Sequence, residues 1–292
     1  MKAELLLDAR AELGEGPCWD VRLGVLHWVD IHAGRLHTFH PESGEDHFLS
    51  LGEPIGCCAP KKGGGMVVAL RSGFYSLDFP TGSRVHLATP EQVPGNRFND
   101  GKCDPAGRFL AGSMCDVETK PTGSLYSLSP AGELNTLLTG LRISNGLTWS
   151  PDGGTFYFID TPTLTVMAYE YDLENGRLSN PRPVIRVPES AGYPDGMTSD
   201  REGMLWIVLW GGACVTRWDP GTGKMTASFP LPVLQPSSCI FGGTDLAELY
   251  ITSAREGLTP QQLEQYPLSG GLFRLETGTQ GLPTFEFGGG MG

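Results

Sequence analysis

A polar turn followed by a run of β-formers recurs six times along this chain. The units read "CWDVRLGVLHWVDI" (18–31), "CAPKKGGGMVVAL" (58–70), "CDPAGRFLAGSM" (103–114), "WSPDGGTFYFIDT" (149–161), "SDREGMLWIVLW" (199–210) and "FGGTDLAELYITSA" (241–254). Starts at 18, 58, 103, 149, 199 and 241 are separated by 40, 45, 46, 50 and 42 residues, close to the ~40 to 50 that one four-stranded propeller blade occupies. A second turn and strand follow, as in "AGRLHTFH", "GSLYSLSP" and "ACVTRWDP", so each repeat holds a pair of hairpins. The 41 glycines and 23 prolines, with no sustained period of 3.6, favour short strands and tight turns over helices. The period predicts an all-β fold, a six-bladed β-propeller spanning residues 1–292 as a single domain. A two-sheet sandwich would need no fixed period. The segment "AELLLD" (3–8) is expected to complete the last blade, because closing the ring removes sheet edges that would otherwise need protection.

Charge narrows the partners. Lys and Arg number 21 against 33 Asp and Glu, a net charge of −12, which argues against nucleic acid and anionic membrane and for a small neutral or cationic ligand. The N-terminus "MKAELLLDARAELGEGP" carries three consecutive leucines before Asp8, too short for a signal-peptide core, and no apolar run approaches the ~18 residues of a membrane span. These features predict a soluble, cytoplasmic protein. Seven cysteines, an odd number with Cys57 and Cys58 adjacent and no C-x-x-C pair, read as reduced, buried thiols rather than a disulfide framework or zinc site. Nothing in the sequence sets the oligomeric state.

In a propeller the innermost strands line a central channel, so residues just upstream of each turn should converge on the axis. Aligning the units on Asp20, Asp104, Ser150 and Asp200 places Glu15, Asn99, Asn145 and Asp195 at one shared offset, five residues earlier. The same offset, taken more loosely, gives Ser238 in the sixth unit and Ile55 in the second. Asn or Asp before Gly is an ordinary turn former, which accounts for any one of these positions. Four oxygen donors at one offset, including Glu15, are harder to obtain from turn statistics. Two carboxylates and two carboxamides without His or Cys suit one hard divalent cation: calcium, magnesium or manganese, with zinc also compatible. The glycines that follow are expected to let backbone approach a ligand closely.

Other chemistry finds no support. All six histidines precede position 87 and none forms H-E-x-x-H; His32, His37 and His40 read as surface or packed residues. No G-x-S-x-G elbow appears, and "KKGGGM" lacks the phosphate-loop pattern and precedes a strand.

Five motifs together carry a family resemblance: "LGEGP", "RFNDGKCDPAGRFLAGSM", "ISNGLTWSPDGGTFYFID", "YPDGM…DREGMLWIVLWGG" and "CIFGG…LYITSAREGL". From about residue 10 to 275 the chain resembles the senescence marker protein 30 (SMP-30), gluconolactonase and luciferin-regenerating-enzyme family, which includes regucalcin and bacterial sugar lactonases. The resemblance implies a six-bladed propeller that hydrolyses a sugar lactone to its aldonic acid with a divalent cation at the channel mouth. Its metal ligands fall on Glu15, Asn145 and Asp195, and its substrate-binding residues on Arg97, Asn99 and Asp100. Asp195 is the expected general base, since a carboxylate touching both metal and attacking water can take the proton without a histidine. The loop after Met114, "CDVETKPTG", departs from the animal pattern, with Asp116 and Glu118 not clearly in register. Two readings compete: a non-catalytic, calcium-binding propeller, and hydrolysis of a different ester.

Overall fold

Six four-stranded sheets make up the computed structural model, which describes residues 2–79 and 81–290. Blades 1 to 5 are each built from four consecutive antiparallel strands and span 14–50, 55–88, 96–141, 144–186 and 193–230. Blade 6 takes Pro236–Gly242, Glu248–Ser253 and Leu272–Glu276 from the C-terminal part and its outermost strand, Glu4–Leu7, from the N-terminus. "AELLLD" therefore closes the ring as its sequence suggested. Arg274 strengthens that closure, with Nη2 2.7 Å from Glu4 Oε2 and Nη1 3.3 Å from Glu248 Oε2.

Each strand's composition follows its place in the blade. Second strands such as Met66–Leu70 (MVVAL) and Leu205–Trp210 (LWIVLW) lie between neighbouring blades with both faces covered, so they are continuous apolar runs. Outermost strands such as Glu45–Ser50 and Lys224–Pro230 are mostly exposed and interleave polar with apolar residues. The innermost strands, Gly14–Asp20, Ile55–Pro60, Asn96–Cys103, Ser144–Trp149, Tyr193–Ser199 and Pro236–Gly242, touch one another in a closed ring around the channel.

The aligned turn residues share one role. Asp20, Asp104 and Asp200 each turn a carboxylate oxygen back to accept two backbone N–H bonds from the turn that follows, and Ser150 Oγ accepts from Thr155 N at 2.9 Å. Asp30 and Asp160, at the ends of two second strands, accept from the backbone just before the innermost strand of their blades.

The C-terminal tail runs across the far mouth of the channel. Leu282 N donates to Ser199 O, Phe287 N to Pro60 O, and Gly288 N to Gly107 O, while Glu286 pairs with Arg22 at 2.6 Å. All seven cysteines are free thiols, and only Cys214 is not fully buried. Among the described residues no helix is long and apolar enough to cross a membrane.

Candidate functional site

Every innermost strand breaks its pairing register near the same end. The irregularities fall between Glu15 and Cys18, Ile55 and Cys57, Phe98 and Gly101, Asn145 and Leu147, Pro194 and Met197, and Pro236 and Cys239. A bulge bends a strand and re-aims its side chains. Here six bulges in a ring turn side chains toward one mouth. In blade 6 the register skips from Pro236 to Cys239 as blade 5 skips from Pro194 to Met197. That puts Ser237 at the Asp195 position and Ser238 in the glycine slot, one residue away from the sequence alignment. Blade 2 contributes only Ile55, which is fully buried.

Gly146 and Gly196 have a packing role. A Cβ on Gly146 would sit 2.5 Å from the carbonyl oxygen of Asp195 in the next blade, and one on Gly196 2.1 Å from Ser238 Oγ. Their missing side chains let adjacent blades approach each other.

A cavity of about 490 Å³ opens at this mouth, and Glu15, Arg97, Asn99, Asn145 and Asp195 all line it. Asp100 does not. It is 2% exposed, occupies in the blade 3 bulge the slot that Gly196 fills in blade 5, and accepts from Gly101 N at 2.7 Å. It therefore stands below the cavity, away from the wall where the resemblance placed it.

Asn145 is held by a short relay. Thr161 Oγ1 donates to Pro194 O at 2.9 Å and so accepts from Asn145 Nδ2 at 3.2 Å, which leaves Asn145 Oδ1 as the end facing the channel. That oxygen is buried without a hydrogen-bond partner, as are Asp195 Oδ1 and Asp100 Oδ2. Buried polar atoms are ordinarily satisfied, and unpartnered acceptors from blades 3, 4 and 5 fit a positively charged ligand. Among the described residues no group of three His, Cys, Asp or Glu side chains is arranged to hold a metal ion. Among the residues lining this cavity, Glu15, Asp195 and Asn145 offer two carboxylates and a carboxamide, all oxygen, and that chemistry fits a hard cation.

Arg97 is almost fully buried and held on several sides. Nη1 donates to Phe98 O at 3.0 Å and to Asn99 Oδ1 at 2.6 Å, while Nε lies 3.2 Å from Asp116 Oδ1, an ion pair without hydrogen-bond alignment. Asn99 in turn donates to Ser144 O at 3.0 Å, joining the arginine to the strand that carries Asn145. Asp116 also pairs with Arg71. The loop that departs from the animal pattern thus buttresses Arg97 through Asp116 and lines the cavity through Glu118. His32, read from sequence as a surface or packed residue, pairs at 2.7 Å with Glu256 on the cavity rim. Sequence reading missed Thr161 and Glu256 as well. Each acts on a residue of another strand or blade, so no local pattern marks it.

The electrostatics are those of crowded acids. Burial, then the Asp100 charge, pushes Glu15 up to about 8. Burial followed by Glu15 and Asp100 raises Asp195 far above the usual carboxylate range, and burial raises Asp100. Three carboxyls this close cannot all ionise without a positive partner.

The chain matches the SMP-30/Gluconolactonase/LRE-like region over residues 13–255. It is 38% identical to rabbit (Oryctolagus cuniculus) regucalcin over 297 residues, covering 99% of each chain. It is also 38% identical over 290 residues, again 99% of each chain, to YvrE of Bacillus subtilis (strain 168), provisionally named a sugar lactone lactonase. The solved structure of a calcium-binding protein, regucalcin, from Agrobacterium tumefaciens strain C58 superposes with a TM-score of 0.93 at 30% identity, over 97% of this chain and 96% of that one. Matches of this extent, on a six-bladed propeller with these residues at its mouth, establish that the chain belongs to the SMP-30/gluconolactonase/LRE-like family.

Proposed function

We propose that the protein hydrolyses a sugar lactone, an aldonolactone such as gluconolactone or a pentonolactone, to the aldonic acid with the help of one divalent cation. The observation that carries this reading is the pair of buried, unpartnered oxygens on Asn145 and Asp195, in one cavity with Glu15 and Arg97. Family membership and the lactonase name of one relative support the reaction class.

Glu15, Asn145 and Asp195 would hold the cation, which when bound supplies Lewis acidity to a lactone carbonyl and acidifies a nearby water. Asp195 is the general base: its carboxylate takes the proton as water attacks the carbonyl carbon, and that proton passes to the ring oxygen as the acyl C–O bond breaks to give the hydroxy acid. Arg97 and Asn99 orient the substrate through its hydroxyl oxygens, and their mutual bond fixes the geometry in advance. Asp100, expected beside them, is buried outside the cavity lining and would act through its charge.

A second reading has one observation behind it. The similar Agrobacterium protein is described as calcium-binding, and an all-oxygen site would suit non-catalytic calcium binding. A buried guanidinium facing the cavity has no use in a calcium buffer, and this favours a bound substrate.

Two variants test the assignment. Asn145→Ala removes a donor that no neighbour replaces without moving a blade, so metal content and hydrolysis should fall together. Arg97→Ala should keep the metal and lower kcat/KM by about 10- to 100-fold, the effect of one or two lost hydrogen bonds to substrate. If Arg97→Ala loses the metal, or Asn145→Ala keeps both metal and rate, the roles are wrong.

A further inference from the structure

One lysine reaches into the channel beneath the acids. Lys102, two residues past Asp100 in the innermost strand of blade 3, is half-buried and donates from Nζ to the carbonyl oxygen of Met197 in the innermost strand of blade 5. Met197 lies two residues past Asp195. The side chain therefore passes from one blade to another under the two carboxylates. On its far side is a separate cavity of about 40 Å³ lined by Lys102, Cys18, Cys58, Cys103 and the tail residues Leu282 and Phe285. Lys102 thus separates the cavity at the near mouth from the far end of the channel.

The charges buried at this level add up simply. Glu15, Asp100 and Asp195 carry three negatives and Lys102 one positive, a net of two negatives. Arg97 shares Asp116 with the exposed Arg71 and, like Lys102, favours ionisation of Glu15; it belongs to the cavity wall and is left unchanged in every variant compared, so it is not counted with the floor. The remaining charged residues of the near cavity, Glu118, Arg142, Glu189 and Glu256, stand at its rim in partial or full contact with water, where their fields are screened. Lys102 also lies near enough to favour ionisation of Asp100 and Glu15. Among the described residues it is the lysine that faces this acid group.

Resting on the metal reading above, we infer that Lys102 is a built-in counterion that trims the buried charge to two negatives and so matches the site to a divalent cation. Its role is positioning and charge balance, with no contact to the reacting atoms. An ammonium at the floor repels a bound ion in proportion to the ion's charge. It therefore disfavours a trivalent ion more than a divalent one of the same size, by roughly tenfold or more for an extra unit charge several ångströms away in a protein interior.

The test uses the full chain, stripped by chelation and titrated calorimetrically with Ca²⁺ and with Tb³⁺. Lys102→Met should raise the ratio of Tb³⁺ to Ca²⁺ affinity by about tenfold or more, Asp100→Asn should lower it, and Lys102→Met/Asp100→Asn should return it to near the wild-type value. The double variant keeps the buried charge at two negatives, so it carries the test even if Lys102→Met fails to fold. A ratio that is unchanged in Lys102→Met, or that stays shifted in the double variant, overturns the inference. The affinity ratio does not depend on turnover, so a lack of lactone hydrolysis in a separate assay would count against the proposed reaction alone. Wild-type protein that takes up neither ion would overturn the inference and the metal reading together.

Discussion

Thr161 decides which end of the Asn145 amide faces the channel. Its hydroxyl gives its one proton to Pro194 O and must accept from Asn145 Nδ2, so the carboxamide oxygen, the better cation donor, points inward. Thr161→Val keeps the shape and removes the acceptor. We expect several-fold weaker metal binding, the loss of about one hydrogen bond, with Thr161→Ser close to wild type. Calorimetric titration of both variants with the same cation checks this, and equal affinity in Thr161→Val would remove the relay from the account. Glu15, Asn145 and Asp195 were legible because they sit at one offset from residues whose turn chemistry is itself legible. Thr161 and Glu256 were not, and Asp116 was noted without a role. Their effects cross between strands, and nothing in "FIDT", "CDVE" or "SAREG" announces the residue that folding brings beside them. Asp100 shows the converse: its motif marked it for the wall, and the bulge carried it underneath.

Along the elements, each innermost strand needs a residue small enough to let the next blade in. Gly146 is the clearest case, since an added Cβ would stand 2.5 Å from the Asp195 carbonyl oxygen and 2.8 Å from Ile159 Cδ1. Gly146→Ala should cost roughly 1–3 kcal/mol, the usual range for overpacking. It should also weaken cation binding, because relief of the clash moves the strand that carries Asp195. Thermal unfolding and metal titration together read both effects; unchanged stability would mean that the blades are not packed this closely. The strands were legible as units because apolar second strands alternate with exposed outer ones at the blade period. The bulges were not, since an irregular register leaves no periodic trace. "SNG" and "PDG" read as turn-like sequences and are strand interiors whose glycines face a neighbouring backbone.

For the whole molecule, the buried acids tie stability to pH. Folded Glu15 is held at about 8 against an ordinary 4.5. Between those values the folded metal-free protein keeps a proton that the unfolded chain releases, so stability falls as pH rises, by ~1.4 kcal/mol per pH unit for each proton retained. His27, held down to about 4 by burial, acts oppositely but only below its ordinary value near 6.5. His32, raised by its bond to Glu256, shares the falling sign and is present with or without metal. The gap in melting temperature between cation-loaded and chelated protein should therefore widen from pH 6.5 to 8, and a gap that narrows would contradict the crowded-acid description. The six-fold architecture and the N-terminal closing strand were legible from spacing and edge physics. The C-terminal tail was not, because "GLPTFEFGGG" has no period and is ordered by backbone bonds to Ser199, Pro60 and Gly107 in three different blades. The central claim is that these blades assemble a cation-dependent lactonase. Its most direct test is a pH-indicator hydrolysis screen of pentono- and hexonolactones on exhaustively chelated protein, repeated with calcium, magnesium, manganese and zinc added back singly. The account predicts no hydrolysis after chelation and recovery with at least one of these ions; full activity in metal-free protein would contradict it.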